Sequence, residues 1–197
     1  MERRPAPPLL PIFRSRQQAE LLALVLGDPE LELSLSDLAG RLGTPYPSVH
    51  REIERAEAAG LVTSKKVRNT RLVRANIRSP YFEGLSQVLT RAFGVPAVLT
   101  EALESVDGIT AAFLYGSWAA RYQGTKGQRP VEDIDVLVLG QPDHDRLYSV
   151  IAGVEPRLGR PVQLAIREAA WLTRGSGLFH DTVSSRPMVP IPLHGRT

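Results

Sequence analysis

The sequence predicts an α+β protein made of two domains and a helical connector. Its first 80 residues alternate amphipathic stretches with two segments rich in Val and Thr, a pattern typical of helices followed by a hairpin. From residue 109 onward a buried-type strand, a short helix and a second strand follow one another, which indicates an α/β arrangement. A chain of 197 residues has room for both parts. We expect a flexible arm over 1–13, domains over 14–78 and 109–197, and a connector over 79–108.

Composition excludes several classes of protein. Hydrophobic residues make up 43% of the chain, and no apolar run approaches the roughly 20 residues that span a bilayer. The absence of cysteine excludes disulfides and thiolate metal sites, and it is typical of a reducing compartment. The charged, proline-rich N-terminus has no apolar segment of secretory type. We expect a soluble cytoplasmic protein with no membrane partner.

The basic excess lies in the first part of the chain. Residues 1–80 carry 13 Lys and Arg against 9 Asp and Glu, whereas residues 81–197 carry 11 against 12. Between 61 and 80 there are six basic residues and no acid: Lys65, Lys66, Arg68, Arg71, Arg74 and Arg78. A basic stripe of this kind attracts a phosphate backbone, so nucleic acid is the expected partner.

Apolar spacing and capping residues predict the first two helices. Ser15–Leu26 has apolar residues at helical spacing, and Gly27 and Pro29 end it. Ser36 is the predicted N-cap of a short helix over 37–42, because a serine at this position accepts a hydrogen bond from the first turn. A glycine follows each helix and is typical of a C-terminal stop.

A longer helix and a hairpin come next. Pro47 suits the first turn of the helix, and one apolar face then runs to about residue 59. Two segments rich in Val, Thr and Leu follow over 61–67 and 70–75, joined by Arg68 and Asn69. Because Asn tolerates a left-handed backbone, this junction predicts a hairpin.

The order of helix, short helix, tight turn, longer helix and basic hairpin is that of a winged helix-turn-helix. The segments Ser36–Gly43, Val49–Ile53 and Ala59–Val62, at this spacing, resemble winged-helix transcription regulators of the ArsR/MarR type. The resemblance covers about residues 14–78 and implies binding to double-stranded DNA as a homodimer. An ArsR-type metal site is not expected, since the cysteines that such sites use are absent.

The helix from Pro47 is expected to enter the major groove, and the hairpin to contact phosphates or the minor groove. The candidate DNA-binding residues on the helix are Tyr46, Ser48, His50 and Arg51. Those on the hairpin are Lys65, Lys66, Arg68 and Arg71. Winged helices also serve as protein-interaction or dimerisation modules, and three glutamates make the helix less basic than a strong DNA reader: Glu52, Glu54 and Glu57.

Two helices are predicted in the connector, over Ser79–Phe93 and Ala97–Val106, with a break at 94–96. They either join the two domains or carry a dimer interface, and the sequence leaves both roles open.

A pair of carboxylates follows the first strand of the last part of the chain. Ile109–Tyr115 reads as a strand that runs into Gly116 and Ser117, and a later strand begins at Glu132. Alternate residues of a strand point to one face, so Asp133 and Asp135 are expected to lie side by side. Such carboxylates repel unless a cation lies between them, and Mg²⁺ prefers oxygen ligands. A glycine at the strand-to-helix turn lets the backbone approach a phosphate.

The stretch Leu114–Gly140 resembles the nucleotidyltransferase fold of the DNA polymerase β superfamily, particularly its small minimal members. The shared pattern is an apolar residue followed by Gly-Ser, a short helix, and then Asp-apolar-Asp-apolar. The resemblance implies a small mixed sheet on which Gly116 and Ser117 bind a nucleoside triphosphate. It also implies that Asp133 and Asp135 bind Mg²⁺ and act as catalytic residues.

Two departures from that pattern favour ligand binding over catalysis. The gap over 118–132 is longer than the family's and includes the basic loop Lys126–Arg129. The family places a third carboxylate on a later strand, but the matching strand, 161–166, has Gln163 at the position facing the site. Glutamine has no proton-accepting carboxylate.

The rest of the chain is less informative. Helices are expected over Asp143–Val154 and Glu168–Leu172, and the proline-rich tail from Pro187 is expected to be irregular or flexible. Trp171 and Phe179 are expected in the core and not as ligand-stacking residues.

Three functions remain open on sequence alone. The first is a DNA-binding transcription regulator whose nucleotidyltransferase-like domain senses a nucleotide or another phosphorylated ligand. The second is an active Mg²⁺-dependent nucleotidyltransferase that modifies a protein, an RNA or a small molecule, with the winged helix for targeting or autoregulation. The third is a non-enzymatic interaction protein in which both domains are scaffolds.

Overall fold

The computed structural model describes residues 13–124 and 131–193, and these form a mixed α+β protein. The chain divides between Val95 and Pro96 into two compact units. Among the described residues, no helix has both the length and the apolar character needed to cross a membrane. The predicted arm, apart from Phe13, and the loop Lys126–Arg129 lie outside the described residues.

The first unit contains four helices and a small antiparallel sheet of strand order β1-β3-β2. Its elements in chain order are α1 (Arg16–Gly27), β1 (Leu33–Ser34), α2 (Leu35–Leu42), α3 (Tyr46–Ala58), β2 (Val62–Val67), β3 (Thr70–Ala75) and α4 (Phe82–Phe93). Each helix contributes fully buried side chains to one core, among them Leu26, Leu38, Ile53 and Leu89. The apolar residues that recur at helical spacing in the sequence thus form the buried faces of these helices.

The N-cap of α2 is Ser34 and not Ser36, so the prediction at this position was wrong. The Ser34 hydroxyl accepts a hydrogen bond from the Asp37 backbone N–H at 3.0 Å, and the Asp37 carboxylate accepts one from the Ser34 N–H at 3.1 Å. This reciprocal pair is a capping box. Leu35 is buried as the first residue of the helix, which fixes the start two residues earlier.

The hairpin has the predicted two-residue junction, but Arg68 takes the left-handed conformation, with φ of 54°, in place of Asn69. The pairing of Val67 with Thr70 closes the hairpin directly at this junction. The turn therefore forces an arginine, and not the more tolerant asparagine, into positive φ.

The segment predicted as a connector divides between the two units. In the first unit α4 packs on α1, where the Ser86 hydroxyl donates to the Leu26 carbonyl at 2.8 Å. The rings of Phe13 and Phe93 meet edge to face at 5.2 Å. The next helix begins at Val95, directly after Gly94, so the expected break is a single residue.

The second unit contains a mixed sheet of strand order β6-β5-β4-β7, in which only β5 and β6 are parallel to each other. Its elements in chain order are α5 (Val95–Leu103), β4 (Ile109–Tyr115), α6 (Gly116–Tyr122), β5 (Ile134–Gly140), α7 (His144–Leu158), β6 (Val162–Arg167), α8 (Trp171–Arg174), α9 (Leu178–Ser184) and β7 (Val189–Ile191). The central strand β5 is buried from Val136 to Leu139. On one face of the sheet, Leu137 and Leu139 pack with Val183 of α9.

The proline-rich tail was wrongly predicted to be irregular, because Val189–Ile191 forms an edge strand on β4. An edge strand tolerates Pro190, since only one side of it needs to hydrogen-bond. Helix α9 was not predicted, and α8 begins at Trp171, later than expected.

Candidate functional site

The exposed face of α3 is fixed by its buried face. Val49, Ile53 and Ala56 are buried, so the side chains opposite them point to solvent, with Arg51 near the middle. Tyr46 is 48% exposed, and its ring lies 6.2 Å from that of His50. These three side chains form the exposed face that the sequence predicted for a DNA-reading helix.

Ser48 lies on the opposite flank of α3. It borders an open depression of about 310 Å³ between α1, the α2–α3 turn and α3, and Arg51 and Arg55 line the same depression. Arg55 donates to Glu52 at 2.6 Å, and Arg14 of the neighbouring segment reaches the same carboxylate at 2.9 Å. Glu52 therefore neutralises cations on this flank.

Two hairpin cations are paired with Glu32. Its carboxylate lies 2.7 Å from the Lys65 ammonium and 3.6 Å from the Arg74 guanidinium. All three side chains belong to one side of the β1-β3-β2 sheet. Lys65, which the sequence predicted as a phosphate contact, is thus held in an intramolecular ion pair.

Arg71 is paired with Glu57 of α3. The carboxylate also accepts hydrogen bonds from the backbone N–H and the hydroxyl of Ser64, at 3.1 and 2.6 Å. The Ser64 hydroxyl and the Arg71 guanidinium together hold the pKa of Glu57 below its ordinary value. Arg71 therefore ties the hairpin to α3, although the sequence predicted it as a DNA contact.

Three of the predicted cations remain unpaired with acids. The Arg51 guanidinium hydrogen-bonds to the Ser48 hydroxyl at 3.5 Å, and Lys66 and Arg68 are exposed. None of the three has a carboxylate partner among the described residues. We call Tyr46, His50, Arg51, Lys66 and Arg68 the α3 surface; it presents two aromatic rings and these three cations. The exposed Glu54 borders it, with its carboxylate 3.5 Å from the His50 ring nitrogen.

The second unit holds a separate row of polar side chains across three strands. Asp135 of β5 pairs with Tyr115 of β4 on one side and with Gln163 of β6 on the other. Adjacent strands lie about 4.8 Å apart, so these three side chains are neighbours on one face. Gln163 was predicted to face the carboxylates, and in the sheet it does lie beside Asp135.

Gly116 lies in contact with the Asp135 carboxylate. Its φ is 70°, and a Cβ built on it would lie 2.1 Å from Asp135 Oδ2. Only glycine fits here, because both the backbone conformation and the space exclude a side chain. Ser117 is exposed as the second residue of α6. We call Tyr115, Gly116, Asp133, Asp135 and Gln163 the carboxylate site.

Asp133 precedes the strand, since β5 begins at Ile134, two residues later than the predicted start at Glu132. Its charge still acts on the site. Burial raises the pKa of Asp135 above its ordinary value, and the neighbouring Asp133 carboxylate raises it further. Burial and the charge of Asp135 likewise raise the pKa of Tyr115. The Asp133 carboxylate is thus close enough to oppose the ionisation of Asp135.

The donor atoms of this site suit a magnesium ion only in part. Carboxylate oxygens of Asp133 and Asp135 are suitable ligands, and the Gln163 amide could add a neutral oxygen. Within the described residues, no group of three or more His, Cys, Asp or Glu side chains is arranged to hold a metal ion. A divalent cation would relieve the repulsion between the two aspartates, and the site would supply two charged ligands.

An aromatic cluster lies beside the carboxylate site and was missed from the sequence. The Arg167 guanidinium lies 5.0 Å from the ring centre of Phe179 and 5.7 Å from that of Trp171. The Tyr115 ring meets Phe179 edge to face at 6.1 Å. Strand alternation places Tyr115 and Arg167 on the face of Asp135, so their position was available from the sequence. Phe179 was wrongly expected in the core: its side chain is 38% exposed, and it lies on a helix that was not predicted.

Comparisons with protein-family models, with curated proteins and with solved structures found no match to this chain. The geometry of the α3 surface and of the carboxylate site is therefore the basis for a proposal on function.

Proposed function

We propose that this chain is a DNA-binding transcription regulator of the winged-helix type whose second unit binds a phosphorylated ligand. The α3 surface carries the proposal. It combines an exposed helix face, two aromatic rings at the start of that helix and three cations that have no acidic partner in the described part of the chain. Helix residues of this kind reach base edges in the major groove, while hairpin cations bind phosphates.

In this proposal the protein acts as a homodimer on two half-sites about one helical turn apart, because each α3 reads one half-site. Tyr46 and His50 contact bases at the start of α3. Lys66 and Arg68 contact the adjacent phosphates, since they lie at the exposed end of the hairpin.

The test is fluorescence anisotropy of labelled duplex DNA from the region upstream of the chain's own gene, compared with a mixed-sequence duplex of equal length. We expect tighter binding to the upstream DNA and weaker binding to both as salt increases. The double variant Lys66→Gln/Arg68→Gln should bind both at least tenfold more weakly. The matched control is Arg146→Gln/Arg174→Gln, which removes two exposed charges from the second unit. Equal effects of the two double variants would contradict the assignment.

For the second unit we propose that a nucleoside triphosphate with Mg²⁺ binds at the carboxylate site. Asp133 and Asp135 would hold the ion, and Gly116 and Ser117 would lie next to the phosphates. The ligand would act as the regulatory signal, since the row Tyr115-Asp135-Gln163 contains one carboxylate and no second acid. Calorimetric titration with Mg²⁺-ATP checks this, with Asp133→Asn as the variant expected to lose binding.

Active nucleotidyl transfer is the second candidate, and the Asp133–Asp135 pair favours it. Bound Mg²⁺ would stabilise charge on the phosphates during transfer. The expected result is label transfer from a radiolabelled nucleoside triphosphate that requires Mg²⁺ and disappears in Asp133→Asn. Equal labelling by the wild type and the variant would remove this candidate. If neither DNA nor nucleotide binds, the chain is better described as an interaction scaffold.

A further inference from the structure

Glu32, just before β1, is an acidic residue that pairs with two cations of the hairpin. Leu33 of β1 pairs with Val73 of β3, and this register places Glu32 opposite Arg74. One carboxylate oxygen lies 2.7 Å from Lys65, and the other lies 3.6 Å from Arg74. The Glu32 side chain is 28% exposed, and those of Lys65 and Arg74 are more than half exposed.

This arrangement contributes little to folding, because ion pairs between exposed side chains add little stability. Its larger effect is on the electrostatic field that surrounds the hairpin. A carboxylate between two cations cancels one of their two charges, so a distant phosphate meets a net charge of +1 in place of +2. A phosphate that approaches Lys65 must either displace the carboxylate or accept repulsion from it.

The remaining cations of the hairpin are not restrained in this way. Lys66 and Arg68 have no carboxylate partner among the described residues, and both are exposed. Sequence-independent DNA binding depends on the number of phosphates that cations neutralise. Glu32 therefore lowers the sequence-independent affinity for DNA and leaves the contacts of α3 unchanged.

We infer that Glu32 is a specificity-determining residue of the α3 surface: it keeps Lys65 and Arg74 paired within the protein and so weakens binding to DNA of arbitrary sequence. The inference rests on the proposed DNA-binding function. Without the two ion pairs, neither the position of Glu32 nor its exposure would indicate this role.

The variant Glu32→Gln tests this with a labelled mixed-sequence duplex, for which no operator needs to be known. At about 0.1 M salt we expect roughly three- to tenfold tighter binding than wild type, and a salt dependence steeper by about one to two units of log K per log salt. The control is Glu83→Gln, an exposed change of the same charge in the same unit, at a residue with no ion pair among those described. It should stay within twofold of wild type. Circular dichroism checks that both variants fold.

A second comparison tests whether Lys65 is the cation that Glu32→Gln makes available to DNA. Lys65→Gln should change the affinity of the wild type by less than twofold, because Lys65 is already neutralised. In the Glu32→Gln background the same change should remove most of the gain. Equal effects of Lys65→Gln in both backgrounds would overturn the inference.

The outcomes separate this inference from the proposed function. If the wild type binds DNA and Glu32→Gln binds no more tightly than Glu83→Gln, the inference alone fails. If Glu32→Gln binds DNA where the wild type does not, the inference stands. If none of the proteins binds DNA, the proposed function fails, and the inference fails with it.

Discussion

At the scale of single residues, the contact between Gly116 and Asp135 has the clearest physical consequence. The strand-to-helix turn requires a positive φ, and the carboxylate fills the space where any side chain would begin. Burial raises the pKa of Asp135, and the charge of the neighbouring Asp133 raises it further. Gathering like charges in this way reduces the stability of the folded chain.

Gly116→Ala is expected to destabilise the second unit by about 2 kcal/mol or more, because it combines an unfavourable φ with displacement of the Asp135 carboxylate. The control is Gly124→Ala, where φ is 89° and nothing lies within 4 Å of the added Cβ. Chemical denaturation measures both. If the two variants lose equal stability, the contact with Asp135 adds nothing to the backbone cost.

Asp135→Asn is expected to raise the Tm at neutral pH, without added metal, by roughly 1–3 °C. The folded chain holds the Asp135 proton more tightly than the unfolded chain, since the pKa is raised. The free energy of unfolding therefore falls as pH rises through the interval from the ordinary to the raised pKa, and the variant lacks this fall.

Thermal melts between pH 3 and pH 8 check this prediction, with the exposed Glu168→Gln as the control expected to behave like wild type. Added Mg²⁺ should raise the Tm of the wild type and leave that of Asp135→Asn unchanged. An Asp135→Asn protein that melts below wild type at every pH would contradict the account of like-charge repulsion.

At the scale of elements, local hydrogen bonds decide where helices begin. The capping box between Ser34 and Asp37 starts α2 two residues before the position that composition favours. The hydrogen bonds from Ser34 also lower the pKa of Asp37, so the stability they add is lost as pH falls through that lowered pKa. Ser34 is the last residue of the short strand β1, and this strand holds its backbone in the extended conformation that an N-cap requires.

Ser34→Ala should therefore lower the free energy of unfolding by about 1 kcal/mol at neutral pH. Ser36→Ala, the matched change at the exposed serine two residues later, should cost less than about 0.5 kcal/mol. Urea denaturation at pH 7 and at pH 3 distinguishes the two, and the Ser34 effect should shrink at pH 3. A larger loss at Ser36 would restore the cap predicted from the sequence.

At the scale of the whole molecule, the number of basic residues overstates the positive charge that a partner meets. The sequence offers five candidate cations for DNA on α3 and the hairpin. Glu32 and Glu57 pair with Lys65 and Arg71, and three cations of the α3 surface remain. Acids elsewhere in the same unit therefore set how strongly a phosphate backbone attracts it.

The salt dependence of DNA binding tests this count. Each phosphate contact contributes about −0.9 to the slope of log K against log salt, so three contacts give about −3 per protomer and five give about −4.5. Anisotropy titrations on a mixed-sequence duplex between 50 and 200 mM salt resolve the difference. A slope near the larger value would mean that DNA displaces the internal carboxylates.

The sequence by itself determined the types and order of most elements. Apolar spacing at Val49, Ile53 and Ala56 indicated the buried face of α3. The resemblance implied that Gln163 faces the carboxylate site, and strand alternation accounts for its side chain being on the face of Asp135. These features depend on periodicities of 3.6 and 2 residues, which the chain carries locally.

Only the tertiary structure decided which charges remain available and where the tail of the chain lies. Glu32 and Lys65 are distant in sequence and meet only because β1 joins the hairpin sheet. Val189–Ile191 becomes a strand only because β4 offers it a free edge. Such contacts have no local signature, since the partner that stabilises each of them is supplied by a remote segment.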